Sequence, residues 1–254
     1  MQHFLFFPVF PKTQIMQKLL FSFIFLSFSL ISLGQDKIVR DANAQNRPAK
    51  GFHAIRISHG IDLYLSQGNE EAVAVSASSA EYRDRILTEV EDGVLKIYLD
   101  NRTADSWNSG DHKLKAYVSF KILENLKASG GSDIFFENEI AVNKLDISLS
   151  GGSDLKGSVK INELSLEQSG GSDVDITGKV ANLKISASGG SDLKGYDLVA
   201  DLCNLSASGG SDTRLTVNKE LNVVASGGSE VSYRGAGIVR EIRTSGSSSV
   251  SKKD

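Results

Sequence analysis

The pentapeptide Ser-Gly-Gly-Ser-Asp begins at Ser129 and returns at Ser150, Ser169, Ser188 and Ser208. Ser-Gly-Gly-Ser-Glu follows at Ser226, and a decayed copy, Ser-Gly-Ser-Ser-Ser, at Ser245. The steps between copies are 21, 19, 19, 20, 18 and 19 residues. A unit that short has no room for two helices and cannot bury an apolar face alone. Stacked units can, because each covers its neighbour.

The residues around each copy say how they stack. Three positions before the first Ser stand Leu126, Ile147, Leu166, Ile185, Leu205, Val223 and Ile242, all aliphatic. Five positions after it stand Ile134, Leu155, Val174, Leu193, Thr213, Val231 and Val250, aliphatic or β-branched. Leu145, Leu164, Leu183, Cys203 and Leu221 stand five positions before it. Period-two apolar spacing on both sides of a Gly-Gly corner predicts strands rather than helix. The fold class expected is all-β: a parallel β-helix, or solenoid, of about 19-residue coils stacked about 4.8 Å apart. The same alternation turns Ala128, Leu149, Gln168, Ala187, Ala207 and Ala225 inward and the acidic residues that close each pentapeptide outward. The copy at Ser245, followed by Ser-Lys-Lys-Asp, is expected to be a fraying or capping C-terminal coil.

Residues 47–123 lack the pentapeptide but still read as strands, punctuated by Gly60, Gly68 and the turn Asp92-Gly93. They form a less regular N-terminal β segment, either capping the first repeat coil or adding earlier coils. A helix over Ser79–Ile86 has little support, and Thr103–His112 reads as a polar loop. Ahead of this, Lys18 precedes the apolar run Leu-Leu-Phe-Ser-Phe-Ile-Phe-Leu, with Ser32 and Gly34 at small-residue positions before Gln35. That pattern is a secretory signal, with Met16 as its more ordinary start. An uncleaved anchor is the alternative. The expected division is a signal peptide (1–34), a linker (35–46), the N-terminal β segment (47–123) and the repeat solenoid with its capping coil (124–254).

Removing the signal leaves 26 basic and 31 acidic residues with no basic cluster, which argues against nucleic acid as a partner. No membrane span is expected after cleavage. Cys203 is the chain's one cysteine, so no intrachain disulfide forms; its register among leucines predicts a buried apolar role. The composition leaves oligomeric state open.

Among candidate sites the acidic row Asp133, Asp154, Asp173, Asp192 and Asp212, with Glu230 next, is the sharpest. Stacked carboxylates repel by about 1 kcal/mol per pair in water, and calcium bridging them is one reading. The other is a solvated edge of turn residues, partly neutralised by Lys156, Lys194 and Arg214. A glycan-binding face needs aromatic platforms. Phe135, Phe136, Tyr196 and Tyr233 are not in register within the repeats, leaving Trp107 in the polar loop as the candidate ligand-binding residue. His53, His59 and His112 lack the spacing of a metal motif. No nucleophile elbow, phosphate loop or dinucleotide fingerprint is present, and no catalytic residue is assigned.

Three segments together resemble a known family: Phe52–Gly68 (FHAIRISHGIDLYLSQG), Asp92–Leu99 (DGVLKIYL) and Leu123–Asp133 (LENLKASGGSD) with its repeats. The pattern is similar to the head GIN domain family of autotransporter-adhesin heads, found mostly in Bacteroidetes, over about Arg47–Val250. The resemblance implies a β-helical, non-enzymatic protein of the periplasm, the outer-membrane surface or the extracellular space. It supplies no ligand residue. The function expected is an exported binding or structural module whose partner is a cell-surface glycan or an envelope protein, without a cofactor unless the acidic row takes calcium. The alternatives are a carbohydrate-active β-helix enzyme of lyase or hydrolase type and an envelope scaffold.

Overall fold

Alternating burial on either side of each corner resolves into strands in the computed structural model, which describes residues 41–100 and 112–254. The first strands are β1 (Gln45–Arg47), β2 (Ala54–Ile57), β3 (Asp62–Gln67) and β4 (Ala72–Ser76). A helical turn α1 (Ala80–Asp84) precedes β5 (Ile86–Glu91), β6 (Val94–Leu99) and β7 (Lys115–Phe120). The repeats supply β8 (Asn125–Ala128), β9 (Ile134–Phe136), β10 (Ile140–Leu149), β11 (Leu155–Gln168), β12 (Asp173–Ala187) and β13 (Asp192–Ala207). The last strands are β14 (Asp212–Ala225), β15 (Glu230–Arg234), β16 (Ile238–Thr244) and β17 (Ser249–Lys252).

The repeat strands pair in parallel and in register. Leu126, Ile147, Leu166, Ile185, Leu205, Val223 and Ile242 form one ladder. Ile134, Leu155, Val174, Leu193, Thr213, Val231 and Val250 form another. The two ladders close on a single core, and Leu126 through Val223 and Ile134 through Val231 are buried. Each fully buried aliphatic side chain contributes about 1.5–3 kcal/mol relative to exposure. This is the parallel β-solenoid that the repeat spacing predicts. Ile242, in the last rung, is 43% exposed, and among the described residues no further rung covers it.

The N-terminal segment both extends and closes the solenoid. β2 lies parallel on β8 and β3 on β9, so residues 54–67 make a coil of the repeat type. Its corner is Ser58-His59-Gly60-Ile61-Asp62, with His59 at φ 69° and Gly60 at φ 67°. β6 and β7 stack in parallel on β2 and β3. β5 then pairs antiparallel with β6, β4 with β7 and β1 with β4, ending the parallel run. α1 forms against its low sequence expectation because Ser79 caps it: the Tyr82 backbone N–H donates to Ser79 Oγ at 3.4 Å.

The corner shows why glycine recurs. Gly189 has φ 74°, and its backbone rests on the glycine beneath, so a Cβ there would sit 2.7 Å from the Gly170 carbonyl oxygen. That carbonyl accepts the Gly190 N–H at 2.8 Å. The second serine of each copy (Ser132, Ser153, Ser172, Ser191, Ser211 and Ser229) is buried, which the polar look of the motif does not announce. Ser172 Oγ donates to the Ser169 carbonyl at 2.9 Å, and Ser132 Oγ accepts the Ile61 N–H at 3.1 Å. The Ser132 and Ser172 hydroxyls satisfy backbone groups that the bend takes out of the ladders, whereas those of Ser191 and Ser211 are buried without a hydrogen-bond partner among the described residues.

Gly189→Ala is expected to cost about 1–3 kcal/mol, from left-handed strain and collision with Gly170. Gly171→Ala, where nothing lies within 4 Å of the added carbon, is expected to change stability by less than about 0.5 kcal/mol. Urea denaturation of the two variants checks this; equal midpoints would refute the stacked corner.

Candidate functional site

The strands that leave each corner carry two outward rows side by side, because alternate residues share a face. The first begins at Lys115, pairs it with Asp62, and continues through the acidic residues that end each pentapeptide. Asp173, Asp192, Asp212 and Glu230 follow one another in register. The structure therefore brings Asp133, Asp154, Asp173, Asp192 and Asp212 onto one edge, and it adds Asp62.

These carboxylates hold the neighbouring coil. Asp133 Oδ1 accepts the Asp154 N–H at 3.2 Å, and Asp154 Oδ1 accepts the Asp173 N–H at 3.0 Å. Burial, with the charge of Asp154, raises the Asp133 carboxyl above its ordinary value; burial, with Asp154 and Asp192, does the same at Asp173. Arg214 lies 3.7 Å from Asp212, whereas Lys156 reaches Asp175 at 3.8 Å rather than the row itself. Among the described residues, no group of three or more His, Cys, Asp or Glu is placed to hold a metal ion.

The second row runs two residues further along each strand. It begins Tyr117, Tyr64, Phe135 and continues Lys156, Asp175, Lys194, Arg214. Tyr64 stacks on Tyr117 and on Phe135, each with ring centroids 5.1 Å apart and planes within 25°. Such pairs add about 0.5–1.5 kcal/mol beyond burial. Lys115 places its ammonium 5.6 Å from the Tyr64 ring centre. Tyr117 donates its hydroxyl to Asp41 Oδ2 at 3.0 Å; burial, then this bond, pushes its pKa up.

Tyr64 covers one side of Phe135, and a groove of about 200 Å³ opens on the other, walled by Asp133, Asp154, Lys156, Asp173, Asp175 and Lys194. The site is thus a half-exposed aromatic stack continued by a charged groove, laid along the solenoid. It can offer apolar contact and closely spaced hydrogen-bond acceptors to an elongated ligand.

Sequence reasoning missed Asp62, Tyr64 and Tyr117. The signal was present as three similar triplets, Asp62-Leu63-Tyr64, Lys115-Ala116-Tyr117 and Asp133-Ile134-Phe135, of which the second lies outside any repeat. Trp107 lies outside the described residues. Tyr196 is covered by the Arg234 guanidinium at 4.0 Å. Of the described histidines, His53 donates its backbone N–H to the Gly93 carbonyl, His59 Nδ1 lies 2.8 Å from Ser58 Oγ, and His112 packs on Tyr82 at 3.9 Å. Cys203 is buried between Leu183 and Leu221, and burial pushes its thiol up to about 12.

Two measurements follow from these environments. Because Asp133 and Asp173 have raised folded-state values, the folded chain binds more protons than the unfolded chain just above the ordinary aspartate range. Their contribution to stability is full below that range and is lost as pH rises through the raised values. Asp173→Asn is expected to flatten this part of a urea-stability curve measured against pH; an unchanged curve would contradict it. Cys203 is expected to resist thiol reagents in the native state and to react on unfolding, and native labelling at the unfolded rate would contradict its burial.

Comparison with known proteins agrees with this architecture. The family described as "Putative auto-transporter adhesin, head GIN domain" matches residues 51–237. No curated protein matches the chain in sequence. A crystal structure of a "putative adhesin" from Bacteroides fragilis superposes with a TM-score of 0.74 at 18% identity, covering 83% of this chain and 96% of that one. A "putative lipid binding protein" from Parabacteroides distasonis gives 0.62 at 19% identity, covering 84% and 98%. A "putative adhesin" from Parabacteroides merdae gives 0.63 at 15%, covering 83% and 95%. At these identities the likeness is one of fold. With a match across most of its length and six of the seven repeat corners within it, the chain belongs to the head GIN domain family.

Proposed function

We propose that the chain is an exported, non-enzymatic binding module of the adhesin type, which engages an extended glycan along the outer face described above. One observation carries this reading: Tyr117, Tyr64 and Phe135 stack in register across three coils and lead into the groove beside Phe135. Rings partly open to solvent on a rigid sheet offer contact area at little entropic cost. Membership of a family described as adhesin heads supports the same reading, as do neighbours described as adhesins. Exposed aromatic edges also suit an acyl chain, and one neighbour is described as lipid binding. The carboxylates that border the groove favour the hydroxyl-rich ligand.

The non-enzymatic part rests on chemistry. Glycoside hydrolysis needs two carboxylates with different roles at a set separation. Here one carboxylate recurs at every rung, and Asp133 and Asp154 each spend an oxygen on the next coil's backbone. Export rests on the signal-like N-terminus. Among the described residues, no helix is long and apolar enough to cross a membrane.

The exported chain is expected to be retained by at least one polysaccharide in a panel without generating new chain ends. Tyr64→Ala is expected to weaken retention about tenfold, from loss of about 1–1.5 kcal/mol of aromatic contact. New reducing or unsaturated ends would overturn the non-enzymatic reading, and unchanged retention by the variant would overturn the face. Cell fractionation with added protease reports the compartment: a cytosolic chain would refute export.

A further inference from the structure

The last rung is built like the others but covered on one side only. β16 pairs with β14 and β17 with β15, and among the described residues neither has a strand on its other edge. Ile242 occupies the inward ladder position that is buried in every earlier coil, yet it is 43% exposed, and Ile238 at the start of β16 is 59% exposed. Val239 and Val250 are partly buried and pack on the core from this end. An apolar, hydrogen-bond-competent edge of this kind is a template for another chain.

Glu241 and Arg243 on β16 pair with each other at 2.6 Å, and the same two charges select the occupant. Consider a second copy placed antiparallel with Ile242 opposite Ile242. Residues directly opposite share a face, so Glu241 then lies opposite Arg243 of the partner copy and Arg243 opposite its Glu241. Moving the register by one face-preserving step brings Glu241 against Glu241, or Arg243 against Arg243, so this register is the one charge favours.

We propose that two copies of this chain associate end to end through β16, as an isologous dimer that pairs the two strands antiparallel across a two-fold axis. The inference stands apart from the ligand reading.

Charge reversal tests this directly by sedimentation equilibrium. The wild-type chain is expected to be a concentration-dependent dimer. Glu241→Arg alone sets arginines opposite arginines, and Arg243→Glu alone sets glutamates opposite glutamates; each is expected to weaken self-association at least tenfold. An equimolar mixture of the two variants is expected to dimerise again, because every facing pair is then of opposite charge, and misfolding would not be rescued by mixing. A wild-type chain that stays monomeric at its highest soluble concentration overturns the proposal, as does a mixture that stays monomeric. Assembly beyond the dimer overturns it in favour of head-to-tail stacking onto β5.

Discussion

Backbone meeting backbone at the corner is the contact on which the rest of this molecule depends. Each coil can lie at strand spacing on the one beneath only if the bend carries no side chain into the gap. At Gly170, Gly189, Gly209, Gly227 and Gly246 an added Cβ would come within 3.1 Å of the glycine one coil below. The amides next to the last four of them close hydrogen bonds of 2.7–2.8 Å across the same gap, as from Gly210 to Gly189 and from Gly228 to Gly209. A corner so tightly located sets the register of both strands that leave it. Every position in the unit therefore becomes a row along the solenoid.

Rows have costs as well as uses. Inward rows of leucine, isoleucine and valine bury themselves at every step. An outward row of aspartates places like charges one strand apart, and burial adds to the penalty at Asp133 and Asp173. The fold offsets this by giving carboxylates backbone N–H partners and by setting Lys156, Lys194 and Arg214 in the adjoining row. The same geometry turns three separate rings into one stack. A function of the kind proposed belongs to a face rather than to a single point, and in that proposal the repeated carboxylate is part of a binding surface.

Much of this was legible in the residues. The apolar ladders, the inward alanines before each corner and the burial of Cys203 all follow from period-two alternation counted from the first serine. The coil at residues 54–67 was hidden because its corner, Ser58-His59-Gly60-Ile61-Asp62, keeps the acid but replaces a glycine and the buried serine. Ile61 fills the buried serine's place without its hydroxyl, and the Ile61 N–H bonds to the hydroxyl of Ser132 in the next coil, as the Ser132 N–H does to that of Ser153. The inward turn of the second serine escaped notice because a hydroxyl in a Gly-rich turn looks solvated, whereas here it serves the bent backbone from inside. The helical turn at Ala80–Asp84 depends on one capping serine, a signal too local for pattern reading.

The sequence by itself determined the solenoid, since a 19-residue unit with two apolar strands and a glycine corner buries its faces only by stacking on copies of itself. It also determined which apolar residues each repeat turns inward. Only the tertiary structure decided that Tyr117 and Tyr64, from β7 and β3, share a stack with Phe135 from the first repeat. Periodicity links residues one unit apart, but β7 reaches its place through a connection that obeys no period. Its neighbours are set by which sheet edge was left to cover, and that is a property of the packed chain.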